Sequence, residues 1–122
     1  AMRAPFKVDV VRDRGALARI VDDGYVENVY RLQIMNTTES VQRYRIAAAG
    51  LPSMGIDLKA DVMVDPAQAR WVPVAVRVPP EVAQQAGLGS HKMEFSIERR
   101  AIEAEGQGSH TLVEKSTFMV PR

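Results

Sequence analysis

An all-β fold, an antiparallel sandwich of about seven strands with at most one short connecting helix, is what this sequence predicts. Three observations carry the expectation. Apolar and polar side chains alternate with a period of two in one segment after another, which marks half-buried strands. Turn-forming residues separate those segments. Only residues 79–89 have the make-up of a helix, long enough for about two turns.

Taken in chain order, FKVDVVRD (6–13) puts Phe6, Val8 and Val10 on one face, opposed by Lys7 and Asp9. GALARIVDDG (15–24) fits a short helix or a strand, with the extended form favoured because Ile20 and Val21 run into an Asp-Asp-Gly turn. In GYVENVYRLQIMNTT (24–38), Tyr30, Leu32 and Ile34 share one side of a strand and Glu27, Arg31 and Gln33 the other. QRYRIAAAG (42–50) repeats the pattern with Tyr44, Ile46 and Ala48. Between these two runs, Asn36, Thr37 and Thr38 can bond back to local backbone, so the pair reads as a hairpin.

Residues 51–65 should carry one or two short strands. WVPVAVRVPP (71–80) turns Val72, Val74, Val76 and Val78 inward, and Pro73, which cannot donate to a ladder, predicts an edge position or a bulge. The helix over 79–89 has proline at its start and Gly87 where a left-handed cap belongs. HKMEFSIERR (91–100) buries Met93, Phe95 and Ile97. In HTLVEKSTFMVP (110–121), Leu112, Phe118 and Val120 share a parity with Glu114 and Ser116, which predicts a bulge or a switch of sheet. Short strands in this spacing fit a sandwich of immunoglobulin-like type, with a small barrel as the alternative. There is no cysteine pair to cross-link the sheets, so packing alone must hold the core, and Tyr44 or Tyr30 is the buried aromatic whose hydroxyl would tie a corner.

A chain of 122 residues, 46% hydrophobic, supports one core. Residues 5–122 read as that single domain and 1–4 as a linker or the cut edge of a larger chain. With 16 Lys+Arg against 15 Asp+Glu there is no field to attract nucleic acid or an anionic membrane. Arg99 and Arg100 are adjacent, which is better read as a wet strand end than as a phosphate clamp. The absence of cysteine excludes disulfides, thiolate zinc sites, cysteine-held iron–sulfur clusters and cysteine nucleophiles in these residues. No apolar run approaches the roughly 20 residues of a membrane span.

Groups that could do chemistry are sparse. Ser109 and His110 are neighbours, but the loop EAEGQGSH (103–110) lacks the strained elbow of a serine hydrolase and reads as a hairpin connection. His91 and His110 open the last two long strands, and antiparallel pairing would hold them apart. His91 and Met93, two residues apart on one face, are a donor pair of the kind that suits Cu(I), although Met93 also has the parity of a core residue. Asp57, Asp61 and Asp65 lack the glycine and terminal glutamate of a calcium loop. Asn36-Thr37-Thr38 matches the glycosylation triplet, a short and unspecific signal.

Residues 5–36 carry a resemblance. Pro5, the run Val8 to Arg14 (VDVVRDR) and the run Gly24 to Asn36 (GYVENVYRLQIMN) are similar to the C-terminal domain of the FixG/CcoG family of cytochrome c oxidase accessory proteins. The resemblance implies an immunoglobulin-like fold over the whole chain. It implies a bacterial, membrane-anchored parent whose transmembrane helices and cysteine-ligated [4Fe–4S] segments precede this domain, and which serves assembly and copper supply of a cbb-type oxidase. It also implies that the domain follows the last membrane helix, on the periplasmic side of the inner membrane. No cluster ligand can be carried over, since these residues contain no cysteine.

Two functions from different classes follow. The first is a non-catalytic interaction module that docks the iron–sulfur parent against the oxidase or its assembly factors. The second is a Cu(I)-handling domain built on His91 and Met93. For the first, Asp13, Arg14, Glu27 and Asn28 are expected to form a structural polar knot at one end of the sandwich, with Asn28 pointing inward and tying down the neighbouring VRDR segment (11–14), and Tyr30 is a further structural residue.

Overall fold

The computed structural model describes residues 5–12, 18–101, 106 and 108–121. Among these residues the strands are β1 (Phe6–Arg12), β2 (Arg19–Ile20), β3 (Val26–Asn36), β4 (Gln42–Ala49), β5 (Gly55–Ile56), β6 (Val62–Val64), β7 (Ala69–Val78), β8 (Gly89–Arg99) and β9 (His110–Val120), with one helix, α1 (Pro80–Ala86). They form two separate sheets. The first runs β1-β3-β7-β5, with β2 also on β3; the second runs β6-β4-β8-β9. Every pairing is antiparallel. This is an all-β immunoglobulin-like sandwich, as the alternation required, and not a barrel.

The alternating segments bury the faces their parity assigns. Tyr30, Leu32 and Ile34 of β3 and Val72, Val74, Val76 and Val78 of β7 line the inner side of the first sheet. Tyr44 and Ile46 of β4, Met93, Phe95 and Ile97 of β8, and Phe118 and Val120 of β9 meet them from the second. Complete burial of a side chain such as Phe95 contributes about 2–3 kcal/mol, and the ring also stands edge-on to Tyr30 with centroids 5.0 Å apart.

Three local expectations meet different fates. Runs 24–38 and 42–50 are not a hairpin, because β3 and β4 lie in opposite sheets. The turn chemistry at 36–40 is present, but it arches the chain across the sandwich instead of folding it back beside itself. β9 has no bulge: its register with β8 is unbroken from Gly89↔Val120 to Arg99↔His110. Glu114 and Ser116 therefore face inward with Leu112, and they are tolerated because β9 is an edge strand, where an inward polar group still reaches water. Pro73 lies in β7 beyond the two residues that β5 covers, so that part of β7 is an open edge.

Helix α1 is a connector between the sheets. Pro79 is its extended N-cap, Pro80 supplies the preset first turn, and Gly87 ends it at φ 88°. Only Ala83 of the helix is fully buried.

Candidate functional site

The first constellation is built on the inner side of β3. Asn28 and Asn36 stand at its two ends, both almost fully buried, with Tyr30, Leu32 and Ile34 between them. An unpaired buried amide would cost more than the strand could recover, so each must find partners. Asn28 donates from Nδ2 to the Met119 carbonyl at 2.9 Å and accepts the Met119 N–H at Oδ1 at 2.8 Å. The Tyr30 hydroxyl donates to the Thr117 carbonyl at 2.6 Å, and Met93 Sδ rests 3.2 Å from the same oxygen. Arg12 Nη1 donates to Thr117 Oγ1 at 3.2 Å. Side chains of the first sheet thus occupy the Thr117 carbonyl and the Met119 N–H and C=O, which edge strand β9 turns away from β8, and cover that end of the edge without a further strand.

At the other end Asn36 does the same for β6. Its Nδ2 donates towards the carbonyls of Ser40, Val64 and Asp65 at 2.9, 3.1 and 3.2 Å. Its Oδ1 accepts from the Thr38 N–H at 2.9 Å and Thr38 Oγ1 at 2.7 Å. Gln42, fully buried at the start of β4, donates to Thr38 Oγ1 and Ser40 Oγ. These bonds turn the 36–40 segment from one sheet to the other.

Burial raises the Tyr30 phenol well above its ordinary value, against a weaker opposing pull from Arg12, so it remains a neutral donor. The Tyr44 phenol is pushed up to about 12 by burial, with the Arg99 charge acting in the opposite direction. Of the two tyrosines proposed as the corner tie, Tyr30 makes the cross-sheet bond, while the Tyr44 hydroxyl meets no hydrogen-bond partner among the described residues.

The described members of the expected polar knot do not gather in one place. Asn28 points inward, yet among the described residues it binds Met119 of β9 and not Val11 or Arg12. The reason is geometric: β1 lies beside β3 in the same sheet, and an inward side chain crosses to the opposite sheet instead. Asp13 and Arg14 lie outside the described residues. Glu27 faces the other side of β3 from Asn28 and Tyr30.

Glu27 is only 2% exposed, although its parity places it on the outer face. Cross-strand neighbours cover it: Arg19 and Arg77 are its register partners on β2 and β7. Arg19 donates from Nε and Nη2 to Oε1 at 3.0 and 2.8 Å, and Arg77 from Nε to Oε2 at 2.7 Å. Burial raises the Glu27 carboxyl, but hydrogen bonds from Arg77 and then Arg19, with their charges, outweigh it and hold the group below its ordinary 4.5. A folded value below the unfolded one means that this contribution is complete above the ordinary value and lost as pH falls through the folded value. Glu27→Gln is expected to cost about 1–2 kcal/mol near neutrality, reduced from a fully buried pair because both arginines reach solvent. Thermal unfolding at pH 7 and at pH 3 checks this: the gap between wild type and variant should shrink in acid, and an equal gap at both would contradict it.

The copper pair is placed in two different environments. His91 Nε2 lies 2.7 Å from the Gly87 carbonyl, and Met93 is buried with its sulfur against the Tyr30 hydroxyl. His91 pairs with Phe118, whereas His110 pairs with Arg99 at the other end of the hairpin, so the two histidines are far apart. Ser109 and His110 are both exposed, and the His110 ring stands edge-on to Phe6 at 5.9 Å. Among the described residues no three His, Asp or Glu side chains gather in metal-binding reach. No described helix is long and apolar enough to cross a membrane.

What remains is surface. On the outer face of the first sheet, Trp71 is 48% exposed and Val11 38%. In register, Val11, Arg31 and Pro73 form one row and Asp9, Gln33 and Trp71 the next. The Arg31 guanidinium lies over the Trp71 ring, 5.5 Å from its centroid, a cation–π contact between neighbouring strands. The neighbouring edge is guarded. Asp57 caps Ala75 through Oδ1 at 2.9 Å and its own N–H at 3.1 Å, so alternation turns Trp71 and Pro73 to the same open side, where Pro73 has no N–H to offer. Parity placed Trp71 outside; nothing in the sequence indicated that an arginine would stack on it, because that depends on register.

Comparison with known proteins agrees with this architecture. Over residues 1–121 the chain matches the family described as the immunoglobulin-like fold at the C-terminus of FixG. It is similar to a FixG-related protein from Vibrio parahaemolyticus, with 24% identity over 96% of this chain and 97% of that one and a TM-score of 0.74. It is also similar to alpha-2-macroglobulin from Escherichia coli, at 18% identity and a TM-score of 0.62, over 98% of this chain but 17% of that one. At these identities the likeness shows fold alone. No curated protein matches. The chain belongs to the family of immunoglobulin-like domains that form the C-terminus of FixG.

Proposed function

We propose that this domain is a non-catalytic docking module, which holds a membrane-anchored [4Fe–4S] parent against the cbb-type oxidase or its assembly factors, on the periplasmic side of the inner membrane. The observation that carries this is the outer face of the first sheet, where Trp71 is half exposed on the same face as Val11 and Pro73. A half-exposed indole held by Arg31 is ready-made contact area, and tryptophan and arginine are the residue types that anchor interfaces. Family membership supports the iron–sulfur parent, whose redox groups would lie outside these residues. The inner polar groups support a structural role, since Asn28, Tyr30 and Asn36 are occupied with backbone.

Trp71→Ala in the full-length protein is expected to reduce co-purification of the oxidase from mild detergent by about tenfold, the loss of a tryptophan anchor, with an unchanged melting temperature for the domain. Undiminished co-purification would remove the reading. Protease treatment tests the side of the membrane: cleavage of the domain only after the inner membrane is opened contradicts a periplasmic position.

Copper handling by His91 and Met93 ranks second, because Cu(I) would have to displace the Tyr30 hydroxyl from the sulfur and the Gly87 carbonyl from the imidazole. Titration with Cu(I) against a competing chelator should give the same affinity for wild type and His91→Ala. A marked loss in the variant would promote this reading over docking.

A further inference from the structure

Strand β4 has an uncovered edge. The Arg43 carbonyl accepts the Arg100 N–H at 2.8 Å, so Arg43, Arg45, Ala47 and Ala49 turn their backbone groups to β8, while Gln42, Tyr44, Ile46 and Ala48 turn theirs the other way. On that other side β6 covers only Gln42 to Tyr44. Its chain has crossed from β5, which pairs with β7 in the first sheet. The N–H and C=O groups of Ile46 and Ala48 are left without a partner among the described residues.

This edge opens on a groove of about 440 Å³ between β4 and β5. Ile46 and Ala48 on one side, and Ile56 and Leu58 on the other, give it an apolar floor packed on the core. The charged residues that line it are Arg45, Lys59 and Arg100 against Asp61. Every carboxylate near the two remaining cations is engaged elsewhere. Asp61 lies 3.6 Å from Arg100, Glu98 (the register partner of Arg45) bonds Arg100 at 3.2 Å, and Asp57 accepts the Ala75 N–H. Arg45 and Lys59 make no ion pair among the described residues.

The two features together specify an occupant. Unmatched N–H and C=O groups on alternate residues of a strand edge are completed by another extended chain, whereas a helix keeps its backbone bonds to itself. Cations that lack a carboxylate select acidic side chains.

We infer that β4 accepts an extended, acidic segment of a partner protein as an added strand at Ile46 and Ala48, antiparallel and in line with β6. Residues that exchange bonds in an antiparallel pair put their side chains on the same face. The segment's residues bonded to Ile46 and Ala48 therefore turn inward onto Ile56 and Leu58, and those between them carry carboxylates outward to Arg45 and Lys59. Trp71 belongs to the other sheet and does not line this groove, so the site is separate from the face proposed for docking.

Fluorescence anisotropy and amide exchange on the 122-residue chain test it. The probe is a labelled, end-blocked peptide of about eight residues that alternates valine and glutamate. It should bind, and it should slow exchange of the Ile46 and Ala48 amides while those of Arg45 and Ala47, already bonded to β8, stay as they were. Methylating the valine nitrogens should abolish binding, and methylating the glutamate nitrogens should not. An analogue with lysine for glutamate should not bind. Arg45→Glu combined with Lys59→Glu should weaken the glutamate peptide at least about tenfold. Ala48→Pro removes one edge N–H and no bond to β8, and should weaken it about fivefold; if that variant does not fold, the two methylated peptides read the same bonds. Trp71→Ala should change nothing, so failure here leaves the docking proposal for that face standing. No binding by the glutamate peptide, equal binding by its lysine analogue, or an equal effect of the two methylations overturns the inference. So does sedimentation showing a dimer that the Arg45→Glu, Lys59→Glu variant dissolves, which would make the occupant a second copy.

Discussion

An Asn36→Ala variant is expected to lose about 3 kcal/mol of unfolding free energy, a large share of what a domain of this size possesses. The side chain is 2% exposed and sits among the carbonyls of Ser40, Val64 and Asp65 on one side and Thr38 on the other. Removing it leaves those buried acceptors without a donor, and an unmatched buried group costs about 1–3 kcal/mol. Asn36→Asp should be worse than alanine, because it sets a carboxylate against three carbonyl oxygens. Urea unfolding of the three proteins checks the order. A loss below about 1 kcal/mol for alanine, or aspartate better tolerated than alanine, would contradict the role assigned to this residue.

Tyr30 carries the other large effect, and its two halves can be separated. Tyr30→Phe keeps the ring against Phe95 and removes only the hydroxyl, so about 1–2 kcal/mol is expected from the unmet Thr117 carbonyl. Tyr30→Ala removes the ring as well and should cost about 4 kcal/mol, in the range of large aromatic deletions from a core. Hydrogen exchange locates the smaller effect. In Tyr30→Phe the Met119 N–H, which bonds Asn28 beside the lost contact, should exchange faster than the amides of β4. Uniform protection in both variants would show that the cross-sheet bond does not hold the β9 edge.

Much of this fold was legible in the chain because period-two alternation is a direct record of which face is wet. Tyr30, Leu32, Ile34, Val72, Val74, Phe95 and Ile97 all lie where parity sends them. What alternation does not record is which strands are neighbours. The turn chemistry of Asn36, Thr37 and Thr38 is equally suited to a hairpin and to an arch between sheets, and the decision rests on Asn36 reaching Val64 and Asp65, nearly thirty residues away. The burial of Glu27 was hidden for the same reason: its cover comes from Arg19 and Arg77, which adjoin it only through register. The inward amides had a visible signal, since Asn28 and Asn36 share the parity of Tyr30. Their partners did not. The proposed docking surface is least legible of all, because an outward tryptophan gains meaning only from the arginine stacked on it.

The most direct test of the central claim, that this domain works through the outer face of its first sheet, is photo-cross-linking in cells. A photoreactive residue is placed at position 71 of the full-length protein and, for comparison, at position 113, where Val113 is 53% exposed on the outer face of the second sheet. Discrete adducts from position 71 to a component of the oxidase or of its assembly machinery, with none from 113, are predicted. Adducts of equal yield from both positions, or none from 71, would contradict the claim.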